Sequence, residues 1–193
     1  MDGKRKDAGV AIKPLEAYET YEDFFAGYTK LVDAYLDMAV DRQMKSFEIM
    51  NDHVSFLFMS MLTDDCLKRG RAILDGGVRY LGGTNETYGN INVSDSLYAI
   101  KKLVFEDARY TLAEIAQAML DNFEGHETLR GACLDCDKYG NDLDTCDTVA
   151  NEVYEMVATH TRDRGIAAGM QYFLIVISNN QLNTEWGLRT GAS

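Results

Sequence analysis

The 193-residue sequence is short of several things at once. It has one proline, one tryptophan, three histidines and four cysteines. Lysine and arginine total 19 against 31 aspartates and glutamates, a formal charge of -12. A surface so poor in cations repels phosphate backbones and anionic lipid, which excludes nucleic acid and a membrane surface as partners. The longest apolar run, Tyr172 to Ile177, is far too short to cross a bilayer. Met1-Asp2-Gly3-Lys4-Arg5-Lys6 has basic residues but no apolar stretch behind it, so it does not read as a signal peptide. The expected location is the cytoplasm, where four cysteines are free thiols.

What is there is a chain able to fold. Apolar residues make up 46% and aromatics 10%, well outside the disordered class, and the length suits one domain. Residues 1–18, with Gly3, Gly9 and Pro14, read as a loop. Thr20 is placed to cap a helix, with Asp23 three residues on. Phe24, Tyr28, Leu31, Tyr35 and Met38 follow at helical spacing, and a break is expected near Asn51-Asp52-His53. A second helix is predicted to carry Phe56, Met59, Leu62 and Cys66 toward Leu74, ended by Asp75-Gly76-Gly77. The methionines from Met38 to Met61 read as core filling. Between Gly76 and Asn92 glycine and asparagine dominate. This stretch reads as a glycine-rich surface loop with a short strand over Val78 to Leu81. Ser94 or Asp95 is expected to start the next helix, and Thr111 with Glu114 forms a capping box for another. A short helix is expected after Gly125. Asp142 or Asp144 starts a longer one, with Cys146, Val149, Val153, Met156 and Val157 on one side. Tyr172 to Ile177 is continuous, largely β-branched and without alternation, the pattern of a strand buried on both faces. One strong strand among many helices cannot close a sheet, so the fold reads as incomplete.

Motifs of chemistry are sparse. Cys133-Leu134-Asp135-Cys136, with Cys146 beyond, lacks a fourth ligand at workable spacing for zinc; His126 and His160 are the nearest histidines. Structural thiols are the preferred reading, and a non-catalytic helical metal-binding protein the alternative of another class. His53 stands alone, and no Ser-His-Asp arrangement is readable. Gly82 to Gly89 lacks the Gly-Lys-Ser/Thr ending of a phosphate loop.

Longer matches carry a resemblance. Asp65-Cys66-Leu67-Lys68-Arg69-Gly70 followed by Gly76-Gly77-Val78-Arg79-Tyr80, the run Asn90 to Asp107, Asn122-Phe123-Glu124-Gly125, Lys138 to Asp142 and Gly187 to Ser193 occur in order. Together they resemble an internal segment of a glycyl radical enzyme of the pyruvate formate-lyase-like family, in its dehydratase and decarboxylase branch. The resemblance covers nearly the whole chain from about Tyr18. It implies an α/β fold: a mostly helical segment of a ten-stranded β/α barrel, incomplete as given. Residues 1–193 would be an internal part of the barrel domain, with the glycyl radical domain absent. The family stores a radical on a backbone glycine, made by a separate radical S-adenosylmethionine activating enzyme. It passes the radical to a cysteine that takes hydrogen from a small-molecule substrate. Neither the Cys-x-Glu loop nor the radical loop is found here, so no catalytic residue is assigned, no metal is expected in the segment, and the chain alone is expected to be inactive. The full-length enzyme would be a homodimer acting as a C–O or C–C lyase; a formate C-acetyltransferase of the same family is the alternative.

Two stretches are expected to reach substrate. Many members read Asn-Phe-(Ser/Thr)-Gly-Pro-Gln where this chain reads Leu81-Gly82-Gly83-Thr84-Asn85-Glu86. The departure points away from the common diol- and choline-type substrates and singles out Glu86, a carboxylate able to accept a hydroxyl or act as acid or base. Asn179, Asn180 and Asn183 follow the predicted strand, where amides can hold a polar substrate. Glu86 and at least one of these asparagines are expected to face one concave surface.

Overall fold

Thr20 starts the first helix as its spacing predicts: its hydroxyl accepts the Asp23 N–H at 3.1 Å. In this computed structural model, which describes residues 9–54, 56–176, 181, 184 and 185, that helix (α1) runs Tyr21–Val54. A single 3₁₀ turn at Leu15–Ala17 interrupts the loop expected before it. Then come α2 (Leu57–Leu62), α3 (Cys66–Arg69), β1 (Gly82–Thr87), α4 (Asn90–Ile100), α5 (Leu112–Leu120), α6 (Glu127–Asp135), α7 (Asp144–Ala167) and β2 (Gln171–Val176). The described elements are therefore helical apart from one two-stranded sheet. They fall into two units, one built mainly from Lys30–Glu86 and Val157–Ile175, the other from Ala11–Thr29 and Thr87–Met156.

In the second unit the core is Ile115, Ala118, Phe123 and Leu129, with Ile100, Val104, Tyr110 and Cys133 packed against it. Thr111 and Glu114 form the predicted capping box: the Thr111 hydroxyl accepts the Glu114 N–H at 3.2 Å, and the Glu114 carboxylate accepts the Thr111 N–H at 2.7 Å. Cys146, Val149, Val153 and Val157 lie buried along α7, as their spacing predicts. The start of α4 differs from expectation. The helix begins at Asn90, after Gly89 in the left-handed region at φ +71°. Ser94 does not cap it; its hydroxyl is buried and donates to the Asn90 carbonyl at 2.8 Å, one turn back in the same helix.

In the first unit the helix predicted from Phe56 to Leu74 is broken. Thr63 is extended and Asp65 left-handed at φ +70°, so two short helices replace one long one. Side chains take over the bonds that a helix would have made. The Ser60 hydroxyl accepts the Ile73 N–H at 3.0 Å, and the Arg69 guanidinium donates to the Gly76 and Val78 carbonyls at 3.3 and 3.0 Å. Arg79 donates to the Asp65 carboxylate at 3.1 Å. Residues 78–80 are thereby held as bends, and the strand predicted there lies further on, as β1. The core of this unit gathers Val40, Met170 and Tyr172, with Met44, Phe47 and Ala168 around them. Met44 fills core as expected, whereas Met59 and Met61 lie exposed on α2.

The glycine-rich stretch is a strand, not a surface loop, and the reason lies in its neighbour. A Cβ on Gly83 would stand 2.8 Å from Met170 Sδ and 3.0 Å from the Tyr172 ring. Only glycine lets the two strands come together under those side chains. The Gln171 N–H donates to the Leu81 carbonyl at 2.7 Å, joining the first residue of β2 to the residue before β1. Both strands therefore start at the same end and run in the same direction, as strands joined by intervening helices do.

Candidate functional site

The sheet has one covered and one open face, and its sequence decides which residue goes where. Successive strand residues point to opposite sides. Along β1, Gly83 and Asn85 are half-buried while Gly82, Thr84 and Glu86 are exposed. On β2, Tyr172 is buried while Gln171, Phe173 and Ile175 are exposed. Tyr172 packs straight onto the backbone of α7, where a Cβ on Gly165 would collide with the Tyr172 Cβ. Burial pushes the Tyr172 phenol up from its ordinary value. On the same covered side the Asn85 amide donates to the Thr161 hydroxyl on α7 at 3.1 Å; Thr161 is fully buried.

Glu86 consequently lies on the open face, beside Phe173 at 57% exposure and Ile175 at 38%. The strand expected to be buried on both faces is buried on one, because no third layer covers Phe173 and Ile175 among the described residues. Chemically the face offers a carboxylate acceptor next to an apolar wall. The other three candidates, Asn179, Asn180 and Asn183, lie outside the described residues. Asn85 and Thr161 escaped the sequence reading. The alternation that pairs Asn85 with α7 and frees Glu86 has meaning only once Gly82–Thr87 is known to be a strand.

The cysteines of the C-x-x-C motif are free thiols. Cys133 lies in the last turn of α6 and Cys136 just after it, both half-buried. Burial pushes both thiols up from their ordinary range; the neighbouring Cys136 adds to the shift at Cys133. The Cys136 thiol donates to the Ala132 carbonyl at 3.3 Å. The Lys138 ammonium caps the helix end, donating to the Cys133 and Leu134 carbonyls at 3.1 Å each and to the Cys136 carbonyl, and its charge offsets part of the rise at both thiols. Among the described residues no three of His, Cys, Asp and Glu converge as ligands. His126 contacts Asp121 Oδ2 at 3.1 Å. His160 sits against Asp33, close but not aligned as a hydrogen bond, and Arg164 bridges Asp33 and Asp37 at 3.2 and 3.0 Å. No described helix is long and apolar enough to cross a membrane.

The (2S)-3-sulfopropanediol dehydratase of Klebsiella oxytoca is 32% identical over 202 residues, covering 99% of this chain and 24% of that protein. A structure concerned with 1,2-propanediol dehydration in Roseburia inulinivorans superposes with a TM-score of 0.76 at 29% identity, covering 82% of this chain and 21% of that one. The glycerol-bound B12-independent glycerol dehydratase from Clostridium butyricum shares the fold, with a TM-score of 0.83 at 21% identity over 93% of this chain and 23% of that one. The chain thus spans about a quarter of the length of the curated relative. The sequence model described as "Pyruvate formate lyase-like" matches residues 1–182, and the chain belongs to that family.

Proposed function

We propose that residues 1–193 form an internal part of the barrel domain of a glycyl radical lyase, one that breaks a carbon–oxygen or carbon–carbon bond of a small polar substrate. The family match along nearly the whole chain carries this reading. The dehydratase relative, 32% identical, favours the carbon–oxygen branch, in which a hydroxylated substrate loses water. The radical glycine and the hydrogen-abstracting cysteine would belong to the rest of a longer polypeptide. That radical would supply the hydrogen abstraction that starts the reaction. A radical S-adenosylmethionine activating enzyme would generate it, in a cytoplasmic homodimer. The share of this chain is a stretch of wall. β1 and β2 would be two of ten barrel strands, with α7 on the outside and the face of Glu86, Phe173 and Ile175 turned to the substrate cavity.

On that face the Glu86 carboxylate would hold a substrate hydroxyl or shuttle its proton, with Asn179, Asn180 or Asn183 completing the polar contacts. The apolar side chains beside it would keep water away from a reactive radical. Sequencing the coding region on both sides tests the proposal. A Cys-x-Glu loop upstream and a glycyl radical loop downstream are expected. Two adjacent cysteines upstream in place of Cys-x-Glu would turn the assignment to a formate C-acetyltransferase, and neither loop would overturn it.

A further inference from the structure

We propose that Asn85, held by Thr161, is the positioning residue that fixes which face of the sheet Glu86 occupies; the importance of that face rests on the function proposed above for Glu86. Strand β1 is poorly equipped to hold its own register. It has Gly82 and Gly83 at its start and no large apolar side chain anywhere in Gly-Gly-Thr-Asn-Glu-Thr. A strand that flips or slips by one residue exchanges its two faces, and beyond the close fit of Gly83 under Met170 and Tyr172 no apolar side chain of β1 opposes that. Among the described residues β1 bonds to one strand, β2. Among the described residues, the side-chain hydrogen bond that ties its covered face to α7 is the Asn85 amide donating to Thr161 Oγ1 at 3.1 Å.

Thr161 is a suitable post. It is completely buried on α7, four residues before Gly165, where the helix backbone meets Tyr172. A hydroxyl at that depth gains from a partner and costs free energy without one. Swapping Asn85 to the open face would strand the Thr161 hydroxyl and bring the Glu86 carboxylate against a buried helix surface. Both penalties oppose the flip. Asn85 therefore acts through Glu86 rather than on substrate.

Hydrogen exchange of the 193-residue chain, followed by mass spectrometry, tests the tether directly. Thr161→Val removes the hydroxyl at nearly constant shape, Thr161→Ser keeps it, and Asn85→Ala removes the other partner. The peptide covering residues 82–87 should exchange about fivefold or more faster in Thr161→Val and in Asn85→Ala, and as in the parent chain in Thr161→Ser. Exchange over α5 should not change in any variant. If Thr161→Val loosens α5 as well, the half-buried Asn85→Ala decides. Unchanged exchange over 82–87 in Asn85→Ala overturns the proposal. In the full-length enzyme Asn85→Ala should lower kcat more than it alters KM. Faster exchange with an unaltered kcat would leave the tether standing and remove Glu86 from the chemistry.

Discussion

Glu86 is an exposed carboxylate on the sheet face that also carries Phe173 and Ile175, and its proposed task is acid–base work or the holding of a hydroxyl. In the full-length enzyme Glu86→Gln keeps size and hydrogen bonding but removes the charge. Turnover should fall by on the order of a hundredfold or more, read by steady-state kinetics, and an unchanged rate would return Glu86 to the status of a surface residue. Glycine positions give a second residue-scale test, independent of function. Gly165 lies against the Tyr172 Cβ, and Gly83 lies under Met170 Sδ at 2.8 Å from where a Cβ would be. Gly165→Ala should destabilise the chain by about 1–3 kcal/mol through overpacking, measured by denaturant titration. The same change at Gly131, around which a Cβ would meet nothing within 4 Å, should cost nothing and supplies the control. Glu86 stood out in the sequence because the stretch Leu81 to Glu86 departs from the Asn-Phe-(Ser/Thr)-Gly-Pro-Gln pattern and puts a carboxylate where that pattern has glutamine. Gly83 and Gly165 did not, because only the spatial neighbour explains why a side chain is missing.

Helices were the more legible elements, since their signals are local. Thr20, the Thr111–Glu114 pair and the α7 stripe of Cys146, Val149 and Val153 each carry their own reason within a few residues. β1 was hidden because its composition is that of a loop, and what makes it a strand is β2, about ninety residues away. The break at Thr63 to Asp65 was hidden because Asp65 and Arg79 pair across a turn that periodicity does not record. The capping box also gives a pH test. The Thr111 backbone N–H, then its hydroxyl, hold the Glu114 carboxyl below its ordinary range. A folded value lower than the unfolded one means stabilisation that is full above the ordinary carboxylate range and is lost as pH falls through the folded value. Thr111→Ala should therefore destabilise the chain at neutral pH. The gap between variant and parent should narrow in acid, as thermal melts over a pH series would record; a constant gap would mean that the cap works without the Glu114 charge.

At the scale of the whole molecule, large apolar side chains lie open: Leu57, Phe58, Leu62 and Leu67 in one unit, Met119 and Leu120 in the other, each at least 60% exposed. Such surface is what a piece of a larger barrel would show before its neighbours cover it. The 193-residue chain by itself should bind a hydrophobic dye, self-associate at micromolar concentration and show no lyase activity. A dye-free monomer with one cooperative melt would speak for a self-sufficient domain. Electron paramagnetic resonance of the full-length enzyme proposed here decides whether it carries a glycyl radical. After anaerobic incubation of the full-length protein with its activating enzyme, reductant and S-adenosylmethionine, the account predicts an organic radical signal split by the single remaining α-hydrogen of a glycine. No such signal, under conditions in which the activating enzyme demonstrably cleaves S-adenosylmethionine, would contradict it.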